Sequence, residues 1–345
     1  MDRRTFLKSS GAAAAAASAT AVAAEQAQAD AHAGAAIRTA LAAPYASGYL
    51  RDRADRLALR LREISDGRIN LQFETVAGNG ADAVLSGAAD AYFGSEADHV
   101  ERHGALAYVS ALPGDLGLGC DHFMTWLSAG GGQMHWDHVA AELGYKALAV
   151  GHSGRGAGLW AMTDVNSLAD LAGQSIATHG LAKRVGDALG LEAQASDAAA
   201  LIEPLMGPTA AMAGGASGQR RYWWRDGLNR SGVVLSLGLA LSLWQRLTDG
   251  DRAVLTTAAS EAFHQSIAEH TAHDRDVAPH LFAHHDVRQR PLPDDIRRAI
   301  DHISQDVISD IAAQDTTVSR IHESYMVFRK NVVGLPDPLH SSGLV

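Results

Sequence analysis

Between Ala36 and Gly94 the chain alternates short apolar runs with helical stretches, and that order limits the possible folds more than any other feature of the sequence. Ala36 to Ala43 reads as a strand. Tyr49 to Ile64 carries Leu50, Ala54, Leu57, Leu61 and Ile64 at helical spacing with arginines on the opposite side, and Ser65-Asp66-Gly67-Arg68 closes it. Ile69 to Val76 alternates as a second strand. Gly78-Asn79-Gly80 then turns the chain into a short helix ending at Ser86-Gly87, and Ala89 to Gly94 is a third strand. Strand, helix, strand, helix, strand predicts a βαβαβ unit on a parallel sheet, and therefore an α/β fold.

The pattern then repeats. A helical stretch from Asp121 to Leu143, interrupted at Gly130-Gly131-Gly132, precedes a strand from Tyr145 to Val150. Leu159 to Met162 is extended, Leu168 to Leu171 a helical turn, Ser175 to Thr178 a strand and Ala182 to Leu189 a helix, which makes a second, smaller α/β unit. Val233 to Leu243 returns as an apolar segment, followed by helix from Asp249 to His273. Pro293 with Asp294 and Asp295 starts a last helix that runs to about Lys330. A chain of 345 residues with 47% hydrophobic content suits two lobes better than one compact domain. The expected division is lobe I over 35–155 with a returning segment near 233–290, lobe II over 156–232, the long C-terminal helix over 294–330 and a tail over 331–345. The apolar stripe Ile296, Ile300, Ile303, Val307 and Ile311 exceeds what one small lobe can cover, so this helix is expected to hold a homodimer together.

Asp2-Arg3-Arg4-Thr5-Phe6-Leu7-Lys8, followed by the weakly apolar run Gly11 to Ala24, resembles a twin-arginine export signal. It predicts a leader over 1–23, a linker over 24–34 and a periplasmic mature protein. Cleavage is expected after Ala23, with a later candidate after Ala29. An Ala-dominated run lacks the roughly 20 strongly apolar residues of a membrane span. The single Cys120 excludes an intramolecular disulfide. The net charge of −10 grows more acidic once Arg3, Arg4 and Lys8 leave with Asp2, which argues against nucleic acid as a partner. The seventeen histidines include no His-Glu-x-x-His, and His264, His270, His273, His280, His284 and His285 follow no ligand spacing, so neither metal nor cofactor is expected.

Two motifs come close to catalytic patterns. Gly151-His152-Ser153-Gly154-Arg155 follows a strand but ends in arginine where a nucleophile elbow needs glycine, and Leu159 to Met162 reads as strand where the elbow needs helix. Gly154, Gly156 and Gly158 lack dinucleotide-fingerprint spacing, and no Walker lysine follows. No catalytic residue is assigned, and a hydrolase using Ser153 is the remotest reading. The glycines suit either a ligand cleft or hinge or a plain surface turn. Tyr222-Trp223-Trp224-Arg225 can stack on and neutralise an organic anion, or pack between lobes.

From Ala111-Leu112-Pro113, through Trp126 to Gly132 and Tyr145 to Val150, to Gly154–Trp160, the chain resembles the solute-binding subunit of TRAP transporters, in the branch that binds 2-oxoacids and lactate-like acids. Leu168-Ala169-Asp170-Leu171-Ala172-Gly173, Gly180 and Glu323-Ser324-Tyr325-Met326-Val327-Phe328-Arg329-Lys330 extend the resemblance over about residues 36 to 330. It implies a two-lobed periplasmic-binding fold that closes on a small carboxylate and passes it to membrane permease subunits, and a C-terminal helix that can be exchanged in a dimer. It also implies a carboxylate-binding arginine where this chain has Ala177, a glutamine near Gly156, and a metal-holding Glu-Trp pair near Ala213-Gly214. On these departures the inherited acid and metal site is expected to be lost. Arg155 and His179 are the candidate replacements, with Tyr45, Trp160 and Trp224 as further ligand-lining residues. The function expected is a TRAP-type receptor for a small organic acid or related molecule, without catalysis. The alternative is a repurposed binding fold that senses or scaffolds without a transported solute.

Overall fold

The computed structural model describes residues 36–46, 48–194, 198–205, 220–272, 279, 283 and 287–333. The expected leader, both cleavage sites, the linker, most of the tail and the Ala213-Gly214 position fall outside them. Strand β1 (Ala36–Ala42) leads into helix α1 (Gly48–Ile64) and back through β2 (Asn70–Val76); α2 (Gly80–Leu85) then returns the chain to β3 (Ala91–Gly94). β1 lies between β2 and β3 and runs parallel to both, which is the βαβαβ unit expected from the sequence. Helix α1 forms because Leu50, Ala54, Leu57 and Leu61 make one apolar face, buried against Leu41 and Phe93 of the sheet.

Two short 3-10 segments, Glu96–Arg102 and Gly104–Val109, follow β3 and lead to α3 (Cys120–Ala129), α4 (Gly132–Leu143) and β4 (Tyr145–His152). The glycine break between α3 and α4 is made by Trp126, which is fully buried and folds over it. A side-chain carbon on Gly132 would stand 2.6 Å from the indole, and Gly131 has φ 84, so neither position accepts a larger residue without rearrangement.

The chain then enters the second lobe as β5 (Leu159–Ala161), β6 (Ser175–Ala177), α5 (Ala182–Ala188), β7 (Glu192–Ala193), β8 (Leu201–Ile202) and β9 (Tyr222–Trp224). It returns as β10 (Val234–Ala240), α6 (Leu241–Arg246) and α7 (Asp249–Ala272), and β11 (Arg288–Arg290) follows. The first sheet has the order β2-β1-β3-β10-β4 and the second β11-β9-β5-β8-β6-β7. β11 therefore belongs to the second sheet, and the return to lobe I ends before it. At the crossover two stretches run side by side: Ser153 N donates to Val233 O at 2.8 Å, and Gly156 N to Arg230 O at 3.1 Å.

The C-terminal helix expected as one piece is two, α8 (Asp294–Ala312) and α9 (Thr316–Val332). The side chain of Asp315 accepts from Thr317 N at 2.7 Å and Val318 N at 2.9 Å, starting α9 as a new helix. The stripe that seemed to need a second protomer is covered by the chain's own two lobes. Ile296 and Ile300 pack with Leu159, Ile176 and Trp224 of the second lobe, while Ile308 and Ile311 join Leu106 and Trp126 in the first. Helix α8 is thus a strap across both lobes. Among the described residues no helix is long and apolar enough to cross a membrane.

Candidate ligand site between the lobes

Open α/β sheets present ligands with the C-terminal ends of their strands. In the first lobe those ends carry Tyr45, Ser95 and the segment from Glu96; in the second they carry Thr178-His179-Gly180 after β6 and Glu203 after β8. The two sets meet. A side-chain carbon on Gly180, which has φ 57, would lie 3.2 Å from the Cβ of Ala97, and Arg184 of α5 makes a two-pronged ion pair with Glu101, Nε to Oε1 at 3.0 Å.

On the second-lobe side, Glu203 is 3% exposed and holds a network of neutral partners. Its Oε1 accepts from Asn229 N at 2.8 Å, and its Oε2 accepts from Thr178 Oγ1 at 2.9 Å and Asn229 Nδ2 at 3.0 Å. Burial pushes the Glu203 carboxyl up, and these donors oppose it only in part. His179 lies 3.3 Å from the same Asn229 Nδ2 through its Nε2. Burial, reinforced by Lys183, lowers His179 to about 4. The far oxygen of the amide, Asn229 Oδ1, is buried without a partner among the described residues.

On the first-lobe side, Glu96 is fully buried among polar partners of another kind. Tyr92 OH donates to Oε1 at 2.8 Å and Tyr145 OH to Oε2 at 2.6 Å, while His99 Nε2 stands 2.6 Å from Oε2. Burial alone would raise Glu96, but His99 and the two phenols hold it below the usual carboxylate range. Burial would likewise lower His99, and Glu96 overrides it and keeps the imidazole raised. Glu96 and His99 thus favour each other's charged forms, and the His99 ring stands edge-on to Tyr92 at 5.6 Å.

The residues singled out from sequence are dispersed by this arrangement. Tyr45 is buried at the seam and donates to Asp98 Oδ2 at 2.7 Å. His179 joins the Glu203 network. Trp160 is buried beside Trp223, both indoles donating to Ala157 O at 3.2 and 2.9 Å. Ala177 packs against that indole pair together with Ile202. Arg155 is half-exposed, with its guanidinium 2.8 Å from Asp226 Oδ1. Trp224 points to the opposite sheet face, stacked on Tyr222 and packed under α8, so Tyr222-Trp223-Trp224-Arg225 is split between two faces and is no single anion clamp. Ser153 Oγ is buried and accepts from Val233 N at 2.7 Å, which ties the crossover together and leaves no exposed nucleophile. Gly156 has no room for a side chain, because its Cβ would fall 1.9 Å from Asn229 O.

Glu203 and Asn229 escaped the sequence reading. The one available signal was Leu201-Ile202-Glu203-Pro204, an apolar run that stops on a lone acid before proline. Nothing around Asn229 marks it as more than a turn residue.

No family model matches the chain. A curated monocarboxylate 2-oxoacid-binding periplasmic protein of a Nostoc species is 24% identical over 294 residues, 81% of this chain and 80% of that protein. A TRAP periplasmic solute-binding protein of Pseudoalteromonas atlantica, solved with sodium and pyruvate, superposes with a TM-score of 0.77 at 19% identity, covering 86% of this chain and 94% of that one. The fold is that of the TRAP solute-binding proteins. A further TRAP protein, from Bordetella bronchiseptica, was solved as a dimer with calcium and picolinate; it gives a TM-score of 0.76 at 18% identity over 86% of this chain and 92% of its own. The metal in these structures invites a fit test. Among the described residues no three His, Cys, Asp or Glu side chains converge. Glu203 is the lone carboxylate of its network, with both oxygens taken, whereas a calcium ion needs six to eight oxygen ligands. The described seam does not fit a metal ion.

Proposed function

We propose that this chain is the periplasmic solute receptor of a TRAP-type transport system, which closes its two lobes on a small organic solute and delivers it to membrane permease subunits. The observation that carries the reading is the seam: strand ends from two lobes converge on buried polar side chains, joined by a paired crossover that can bend. The Nostoc relative and the solved TRAP proteins support a solute such as a small organic acid. Export through the twin-arginine route accompanies the reading and rests on Arg3 and Arg4. Catalysis is not part of it, since Ser153 is committed to the crossover. The homodimer no longer follows from the Ile296–Ile311 stripe, which is buried within one protomer.

The site in this reading has changed from the one the resemblance implies. Ala177 carries no group to bond a carboxylate, and a glutamine in place of Gly156 would collide with Asn229 O. The alternative of a scaffold with no transported solute is not favoured, because an unpaired buried acceptor such as Asn229 Oδ1 costs about 1–3 kcal/mol with no return in a purely structural protein. Small-angle scattering of the mature protein against a panel of small organic acids tests the receptor reading: a solute that binds should change the radius of gyration, and a particle unmoved by every solute that calorimetry shows to bind would reject lobe closure.

A further inference from the structure

The seam contains two acceptors that its own residues leave unanswered, and they are of different kinds. Asn229 is 2% exposed, and the orientation of its amide is dictated by its neighbours. Nδ2 donates to Glu203 Oε2 at 3.0 Å and lies 3.3 Å from His179 Nε2; turning the amide over would set Oδ1 against the Glu203 carboxyl. Oδ1 is therefore held as a buried acceptor without a donor among the described residues. Among the described residues the hydrogen-bond partners of Glu203 are neutral, namely Thr178, the Asn229 main chain and the Asn229 amide, and the exposed Lys183 acts on the neighbouring His179. A buried carboxylate without a counter-charge favours any positive or donor group brought beside it, and disfavours a further acceptor. Among the described residues no guanidinium bonds to this network: Ala177 lies against the Trp160 and Trp223 cluster, and Arg155 is paired with Asp226.

We propose that Glu203 and Asn229 form a donor-selecting subsite, which admits small organic solutes presenting an ammonium or a hydroxyl and rejects those, such as 2-oxoacids, that present only acceptors at the same position. The proposal rests on the receptor reading above and specifies what the receptor takes. An ammonium gains most, since it answers Asn229 Oδ1 and supplies charge to Glu203. A hydroxyl answers Oδ1 alone. A ketone oxygen meets two acceptors and loses the site.

Isothermal titration calorimetry on the mature protein separates these cases with three probes of one carbon skeleton: pyruvate with a ketone, L-lactate with a hydroxyl and L-alanine with an ammonium. Wild type is expected to bind alanine or lactate at least tenfold more tightly than pyruvate, with no gain from added calcium. Asn229→Ala should bring lactate and pyruvate to within about threefold of each other, and Glu203→Gln should weaken alanine more than lactate. Pyruvate binding more tightly than both others overturns the subsite while leaving the receptor reading standing. No heat from any of the three, with no thermal stabilisation, overturns both. The wild-type ranking alone decides the matter if either variant fails to fold.

Discussion

Each lobe buries a glutamate where the two lobes meet, and the two are held in opposite ways. Glu96 sits against an imidazole that its own charge keeps protonated more readily than usual, with two tyrosines completing its shell. Glu203 sits among a threonine, an asparagine and a neutral histidine, and burial raises it. A buried acid with an imidazole beside it has its counter-charge within its own lobe and works as structure, although His99 Nδ1 has no partner among the described residues. A buried acid that lacks a counter-charge stores an unmet electrostatic demand, which a bound solute can satisfy. The difference assigns architecture to the first lobe's cluster and recognition to the second's.

Removing the charge of Glu96 should have the largest effect. Glu96→Gln strands His99 and forces two phenols to rearrange, and we expect urea unfolding to show a loss of about 3–5 kcal/mol. Glu203→Gln should cost about 1–2 kcal/mol, since it disturbs hydrogen bonds without orphaning a cation. Equal losses for the two variants would erase the distinction.

A second effect concerns how Asn229 reaches Glu203. Gly156→Ala places a methyl where Asn229 O now stands, so the crossover must move, at a cost of about 1–3 kcal/mol by the same assay and with weaker solute binding. A variant as stable and as tight as wild type would mean that the crossover holds the network loosely.

The pH dependence sharpens the contrast further. Glu203 is raised from its ordinary 4.5, so its contribution is full below pH 4.5 and falls as pH rises through the raised folded value; Glu203→Gln should remove that decline. Glu96 is lowered, so its contribution is full above pH 4.5 and is lost as pH falls through its depressed folded value. His99 is raised from 6.5, so what it adds is full below pH 6.5 and fades as pH climbs past its folded value. Stability curves of wild type and the two glutamine variants, measured by urea titration across pH 3–9, should therefore change slope in opposite senses on the acid side. Parallel curves would contradict the assignment.

The smallest effect belongs to the surface pair between the lobes. Arg184 and Glu101 are both substantially exposed, so Arg184→Ala should cost under about 1 kcal/mol, with any difference disappearing in high salt. A loss comparable to that of Glu96→Gln would shift the origin of lobe contact from the buried clusters to the rim.

Much of the first lobe was legible in the sequence because its elements are long and periodic. α1 shows its apolar face at every turn, and β1 and β2 have seven residues each. The second sheet was only half visible: β7 and β8 have two residues apiece, too few for alternation to register. The C-terminal stripe was read correctly as apolar and wrongly as unpartnered, because the lobes that cover it come from segments far apart in sequence. Tyr45 was named for its place in the first strand-to-helix loop and His179 as a replacement for the arginine missing at Ala177. Glu203 and Asn229 lie 26 residues apart and acquire meaning only when β8 and the crossover are brought together. Arg155 attracted notice as the cation beside the position where the resemblance implies a glutamine, and the structure pairs it with Asp226, a partner 71 residues away in sequence.

The most direct measurement is a calorimetric titration of L-alanine into the Glu203→Gln and Glu96→Gln proteins side by side, at a temperature where both remain folded. If recognition resides in the second lobe's uncompensated acid, Glu203→Gln should bind at least tenfold more weakly than wild type while Glu96→Gln stays within about twofold. Unchanged affinity in Glu203→Gln, or a loss confined to Glu96→Gln, would contradict the division between a structural glutamate and a recognising one.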